Sequence, residues 1–337
     1  MRTREMSRLM NSAAKLTSAQ RAVLLLHLQV RDEGDRAASV VQQRQPDRPG
    51  RPKCGATRVV RPGWCDPGGA QRVVRNGQAD GLQRCKCRGC SVTFNALTGT
   101  PWARLRHRQR WLAQCQALQE GLSVRKVAAQ LGVHRTAALR WRHRFLQCPA
   151  KIKVLAMRGV VEADGTYVLE SFKVQRQALA LAQRPSRRRG GKARKRGLSS
   201  KQIPILVLRA RTGQTADFLI PTAPVHGANK AIKAMMASAV ADDAVLCTDG
   251  SSLLASAARA LDIEHQPVNL SKGQRVCGAW YVQNVNAYAS RLKQWLRRFN
   301  GVASSYLAND QGWFRALDGR GASTQDSAWL LTLAVKV

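Results

Sequence analysis

The chain has 337 residues, enough for two or three domains with a sizeable core. Its 56 Lys and Arg against 20 Asp and Glu give a formal net charge of +36, which favours a polyanionic partner, nucleic acid first and an anionic membrane surface second. No apolar run approaches the ~18 residues that cross a bilayer, and "MRTREMSRLM" lacks the apolar core of a secretory leader, so a soluble cytoplasmic protein in contact with the nucleoid, not a membrane protein, is expected.

In chain order, residues 16–30, "LTSAQRAVLLLHLQV", read as a helix capped by Thr17 or Ser18. Residues 31–53 are polar, with Gly and Pro, and read as a linker. Five of nine cysteines then fall between Cys54 and Cys90. That clustering in a chain of this length points to a metal site in a reducing compartment rather than to a disulfide scaffold. "CRGC", Cys87 to Cys90, has the two-residue gap that lets two thiolates reach one tetrahedral zinc ion. Upstream, "RPKCGATRVVRPG" and "CDPGGAQRVVRNG" are imperfect copies of one unit, and each keeps half of a second pair. The first has Arg51 and Cys54, the second Cys65 and Gly68. Cys54, Cys65, Cys87 and Cys90 are the candidate zinc ligands, with Cys85 a possible substitute. A closed site needs four ligands, so an irregular zinc ribbon and an empty one both stay open. Cys115, Cys148, Cys247 and Cys277 read as core or incidental thiols.

Residues 121–146, "GLSVRKVAAQLGVHRTAALRWRHRFL", read as helix-turn-helix. Ser123 can cap the first helix, Val124, Val127, Ala128 and Leu131 form its inner face, and Gly132 permits the turn. The second helix presents His134, Arg135, Thr136, Arg140 and Arg142 as candidate DNA contacts, a basic face suited to the major groove. From Val154 onward strands and helices alternate. The alternation breaks at 184–201, "RPSRRRGGKARKRGLSSK", with nine basic residues and no acid. Arg188, Arg189 and Lys195 stand for it as phosphate-contacting candidates.

Two acids interrupt the apolar strand "VVEADGTY", and Glu162 and Asp164 point to the same face of it. A buried unpaired carboxylate costs several kcal/mol, so it is paired, protonated or metal-bound. "DDAVLCTDG" places Asp249 at the C-terminal end of another strand, where open α/β sheets locate their chemistry. In "VQNVNAYASRLKQWLRRF" an apolar stripe of Val285, Tyr288, Leu292, Leu296 and Phe299 predicts a helix. Asn286, Lys293 and Arg297 then share an adjacent face, because seven residues is nearly two turns. Two strand-borne aspartates and a helix-borne oxygen make a candidate Mg²⁺ or Mn²⁺ centre.

The segments "VEADGTYVLESFK", "KRGLSSKQIPILV", "VLCTDG", "VNLSKGQRV" and "VQNVNAYASRLKQWLRRFNGVASSYL" resemble the catalytic domain of prokaryotic insertion-sequence transposases of the DDE type, in the branch with an Asp-Asp-Asn-Lys set. "GLQRCKCRGCSVTFNALTGTPWARLRHRQRW" is similar to that branch's zinc-ribbon segment leading into a helix-turn-helix. The resemblance implies an α/β, RNase H-like catalytic domain, a mixed sheet flanked by helices, with Asp164, Asp249 and Asn286 as metal ligands and Lys293 as the accompanying base. It also implies recognition of terminal inverted repeats, cleavage and strand transfer on target DNA, and a homo-oligomer in the DNA complex. The expected order is an N-terminal helix and linker (1–45), a zinc-ribbon-like segment (46–100), a helix-turn-helix domain (101–150), the catalytic domain (151–315) and a poorly matched tail (316–337). The sequence departs from the family at Gly165, at the split zinc pair, and at "LANDQGW", 307–313. An inactive copy that only binds DNA, and a structure-specific nuclease on the same fold, are the alternatives.

Overall fold

A computed structural model describes residues 73–79, 82–88, 91–95, 97–98, 100–173, 177, 202–220, 225–268, 273 and 276–319. The helix expected at 16–30, the linker, Cys54, Cys65, Cys90, the basic stretch with Arg188, Arg189 and Lys195, and the residues after 319 lie outside them. The chain forms two compact units that divide between Cys148 and Pro149.

The first unit begins with three antiparallel strands, β1 (Val73–Ala79), β2 (Leu82–Cys87) and β3 (Thr93–Phe94), in the order β1-β2-β3. Cys85 pairs with Arg75 on one side and Phe94 on the other, and Leu82, Cys85 and Phe94 are buried. Cys87 ends β2. Three helices follow, α1 (Trp111–Gln119), α2 (Val124–Gln130) and α3 (Arg135–Phe145). Their centre is aromatic. Trp102 stacks on Phe145 with ring centroids 4.9 Å apart and meets Trp111 edge-on at 4.6 Å, geometries that aromatic pairs favour. Ser123 caps α2 as its position predicts, accepting the Lys126 N–H. Gly132 turns the chain with φ +58°, a conformation that side chains other than glycine's resist. Val127, Ala128, Leu131, Ala138 and Trp141 close the core beneath the turn.

The second unit is a three-layer α/β/α arrangement built on a mixed sheet. Its strands are β4 (Val160–Leu169), β5 (Gln202–Ala210), β6 (Thr215–Leu219), β7 (Val245–Thr248) and β8 (Glu264–Pro267), in the order β6-β5-β4-β7-β8. β4, β5 and β6 run antiparallel, whereas β7 and β8 run parallel to β4. Side-chain alternation gives the sheet two different faces. Val161, Ala163, Leu206, Leu208 and Leu246 form one buried cluster with α5 (Val225–Ala239) and α6 (Ser252–Ala260), through Ile232, Met236, Leu254, Ala257 and Ala258. The opposite face carries Glu162, Asp164, Val207, Asp217 and Cys247 and is covered by α7 (Gln283–Arg297) and α8 (Leu307–Asp318).

Helix α8 is locked down by buried charge and by one close backbone approach. The fully buried carboxylate of Asp217 pairs with Arg315, pairs with Lys153 at 3.3 Å, and accepts the Tyr288 hydroxyl at 2.9 Å. Burial and the neighbouring Arg315 charge push Lys153 down to about 7. Asp318, at the end of α8, pairs with Arg209 and with Arg291, each at 2.8 Å. The stretch 307–313 thus opens a well-anchored helix in which Asp310, Gln311, Gly312 and Trp313 are all buried. A Cβ on Gly312 would lie 2.5 Å from the Ala150 backbone. Gly312→Ala is therefore expected to lower the unfolding free energy by about 1–3 kcal/mol, as forced overpacking does, which urea denaturation measures.

Candidate active site and nucleic-acid interface

Strand register brings the two aspartates together. In the parallel pair, Ala163 lies opposite Thr248, and the next residue on each strand is Asp164 and Asp249. Neighbouring strands run ~4.8 Å apart, so the two carboxylates stand side by side where β7 ends. Asp164 lies beside Gly165, whose N–H donates to Oδ1 at 2.7 Å. Oδ1 of Asp249 accepts the Ser251 N–H at 3.1 Å, and Gly250 makes the turn with φ +87°. Among the described residues neither aspartate belongs to an ion pair. Burial first, and the Asp249 charge second, raise the Asp164 carboxyl to about 6, against smaller opposing effects of the Gly165 N–H and the Lys293 charge. The same two aspartates, after burial, push up the hydroxyl of half-buried Tyr167.

The helix bearing Asn286 is delivered by Glu162. Helix α7 has no acid in its first turn and no capping side chain of its own, so its first N–H groups need an outside acceptor. The fully buried carboxylate of Glu162 supplies it, accepting the Val285 N–H at 3.0 Å and the Asn284 side-chain amide at 2.8 Å. The guanidinium of Arg211 stands 3.9 Å away and stacks on Tyr281 at 4.1 Å. Because Glu162 and Asp164 alternate on one face of β4, the anchored helix start runs alongside Asp164. Asn286 follows Val285 directly and is half-buried, and Lys293 and Arg297 are exposed further along α7. The Lys293 charge lies near enough to lower the Asp164 pKa slightly.

The donor set fits a hard divalent cation. Two adjacent carboxylates repel each other, no cation among the described residues is paired with either, and an amide oxygen stands on the neighbouring helix, all oxygen ligands of the type such ions take. Among the described residues no three His, Cys, Asp or Glu side chains come together as a metal-holding group.

On the helix-turn-helix, His134, Arg135, Thr136 and Arg140 are exposed on one end and side of α3. His134 also caps the helix, its Nδ1 accepting the Thr136 N–H at 3.3 Å. Arg142 departs from expectation. It is 5% exposed and its guanidinium donates to the Leu122 carbonyl, so it fastens α3 to the loop before α2 and does not face DNA. Its helical phase matches the wet face only loosely, and the deciding partner is a backbone oxygen that no side-chain pattern reveals. Of the candidate zinc ligands only Cys87 is described, at the end of β2.

Residues 156–309 match the family model of the ISXO2-like transposase domain, and residues 102–149 that of the homeodomain-like domain. A relative from Halobacterium salinarum, described as an uncharacterized protein in transposable element ISH50, is 26% identical over 247 residues, covering 72% of this chain and 81% of that protein. A chain in the crystal structure of a pre-cleavage Mos1 transpososome is 12% identical, with 62% of this chain and 79% of that one covered. Its TM-score of 0.19 is too low to support any structural conclusion.

Proposed function

We propose that this chain, which carries an ISXO2-like transposase domain at residues 156–309 behind a homeodomain-like domain at 102–149, is the DNA transposase of an insertion sequence. The observation that carries the reading is the strand register that sets Asp164 beside Asp249, unpaired with any described cation, with the Lys293 charge near enough to act on Asp164. The strand order, with three antiparallel strands continued by two parallel ones and helices on both faces, fits an RNase H-like catalytic domain.

In this reading Asp164 and Asp249, with the Asn286 amide oxygen, hold Mg²⁺ or Mn²⁺. Such ions, when bound, activate an attacking oxygen and neutralise the leaving one in phosphodiester chemistry. The chain's own residues position the DNA. Lys293 and Arg297, exposed on α7, meet backbone phosphate near the scissile bond and offset charge that develops there. Glu162 keeps α7 in register with β4. His134, Arg135, Thr136 and Arg140 meet the element's terminal inverted repeats, and the basic residues Arg188, Arg189 and Lys195 grip flanking or target DNA, with affinity that falls as salt rises. Two ends must be joined to one target, so a homo-oligomer assembles on the DNA.

The test is strand transfer with end-containing DNA in Mg²⁺ or Mn²⁺. Wild type is expected to cleave and join, and Asp249→Asn to lose at least ~10³-fold, the scale of removing one essential electrostatic group. Equal activity in the two proteins removes the catalytic assignment. End binding without any cleavage by wild type identifies a DNA-binding copy instead.

A further inference from the structure

We propose that Thr248 and His265 act as a positioning pair for Asp249, fixing its turn from the opposite face of the sheet; this rests on the reading of Asp249 as a metal-holding carboxylate. Thr248 is the last residue of β7 and is completely buried. Its Oγ1 accepts the N–H of Gly250 at 3.2 Å and lies 2.8 Å from Nε2 of His265 on the edge strand β8. Its carbonyl accepts the Val268 N–H at 2.8 Å. The residue between the two tethered positions is Asp249, whose own Oδ1 is held by the Ser251 N–H. The carboxylate therefore sits on a turn bolted at Thr248 and at Gly250.

The hydrogen bonds have a direction. A hydroxyl has one proton to give. In the arrangement proposed, Thr248 accepts the Gly250 amide and donates that proton to Nε2 of a neutral His265 carrying its own proton on Nδ1. Burial lowers the His265 pKa and so favours this neutral ring. Leu246 lies opposite His265 in the β7–β8 register, which puts the imidazole on the α5–α6 side, away from the aspartates. His265 thus touches no reacting group and acts only through Thr248. Groups that orient a ligand from outside in this way typically change metal affinity 10–100-fold when removed.

The experiment uses the full chain and two readouts, Mn²⁺ affinity from the electron paramagnetic resonance of the free ion, and hydrogen exchange of the Gly250 amide in metal-free protein. Thr248→Val and His265→Leu are each expected to weaken Mn²⁺ binding about tenfold and to speed Gly250 exchange. Thr248→Ser and His265→Gln, which keep a hydroxyl and an acceptor, should stay close to wild type. The double variant should be no weaker than Thr248→Val alone, since both changes break one chain of bonds. A folded Thr248→Val with wild-type Mn²⁺ affinity, or with unchanged Gly250 exchange, overturns the proposal. If Thr248→Val does not fold, His265→Leu decides by the same two readouts. A wild-type chain that binds Mn²⁺ no better than Asp249→Asn overturns the metal reading itself, and the pair's role with it.

Discussion

Glu162→Ala is expected to lower the unfolding free energy by about 3 kcal/mol and to abolish the proposed DNA cleavage, although the residue lies outside the proposed metal-holding set. The loss follows from what remains behind. The Val285 N–H and the Asn284 amide lose their acceptor, and the Arg211 guanidinium loses the carboxylate 3.9 Å away, all around a position with no solvent access. Each buried donor left without a partner costs about 1–3 kcal/mol, and partial relaxation of the cavity returns some of it. Activity falls further than stability because the start of α7 is set by this carboxylate, and Asn286 is the next residue. Glu162→Gln separates the two effects. Its amide keeps one acceptor oxygen but turns an N–H₂ towards groups that are themselves donors, so an intermediate stability and strongly reduced cleavage are expected. Urea denaturation together with Val285 amide exchange measures the anchor directly. Wild-type stability in Glu162→Ala would mean that α7 is held by its apolar stripe alone.

The apolar stripe itself was legible. Val285, Tyr288, Leu292 and Leu296 recur at helical spacing and all are buried. The alternation in "VVEADGTY" likewise put Glu162 and Asp164 on one face, and the ending of "VLCT" at Asp249 put the second aspartate at a strand end. Local pattern reads periodicity, and periodicity fixes which residues share a face. It does not say what lies across from that face. Glu162 and Asp164 are alike in spacing and setting, yet one caps a helix that begins more than a hundred residues later and the other faces a like charge on a neighbouring strand. The difference is made wholly by long-range partners. The same limit hid the inward turn of Arg142, whose partner is a backbone carbonyl twenty residues back. It also hid the role of the 307–313 stretch, where Gly312 is required by the approach of Ala150 and nothing in its neighbours announces that. Asp217 and Asp318 belong with these. They hold α8 against β5, β6 and α7 through partners distant in the chain.

Asp164→Asn is expected to do the opposite of Glu162→Ala to the fold while having the same effect on the chemistry. The Asp164 carboxyl is raised to about 6, by burial and by the Asp249 charge beside it, from an ordinary value of 3.8. Between those two values the folded chain holds a proton that the unfolded chain has released. Stability from this group is therefore highest below about pH 4 and is lost as pH rises through 6, so at pH 7 the ionised carboxylate is a standing cost. Asparagine keeps the Oδ1 that accepts the Gly165 N–H and removes the charge. In metal-free buffer at pH 7 the variant should be more stable than wild type by about 1–3 kcal/mol. The two proteins should converge as the pH is lowered through 6 to 4. Adding Mg²⁺ or Mn²⁺ should raise the melting temperature of wild type and leave the variant nearly unmoved, because a ligand stabilises the fold only as far as it binds the native state. Thermal melts at pH 5 and 7, with and without the ion, give all four comparisons. A variant less stable than wild type at pH 7 without metal would mean that the aspartate pair is not strained. A more stable variant instead marks the strain as the condition for the proposed function, a site that repels its own charges until a divalent ion neutralises them.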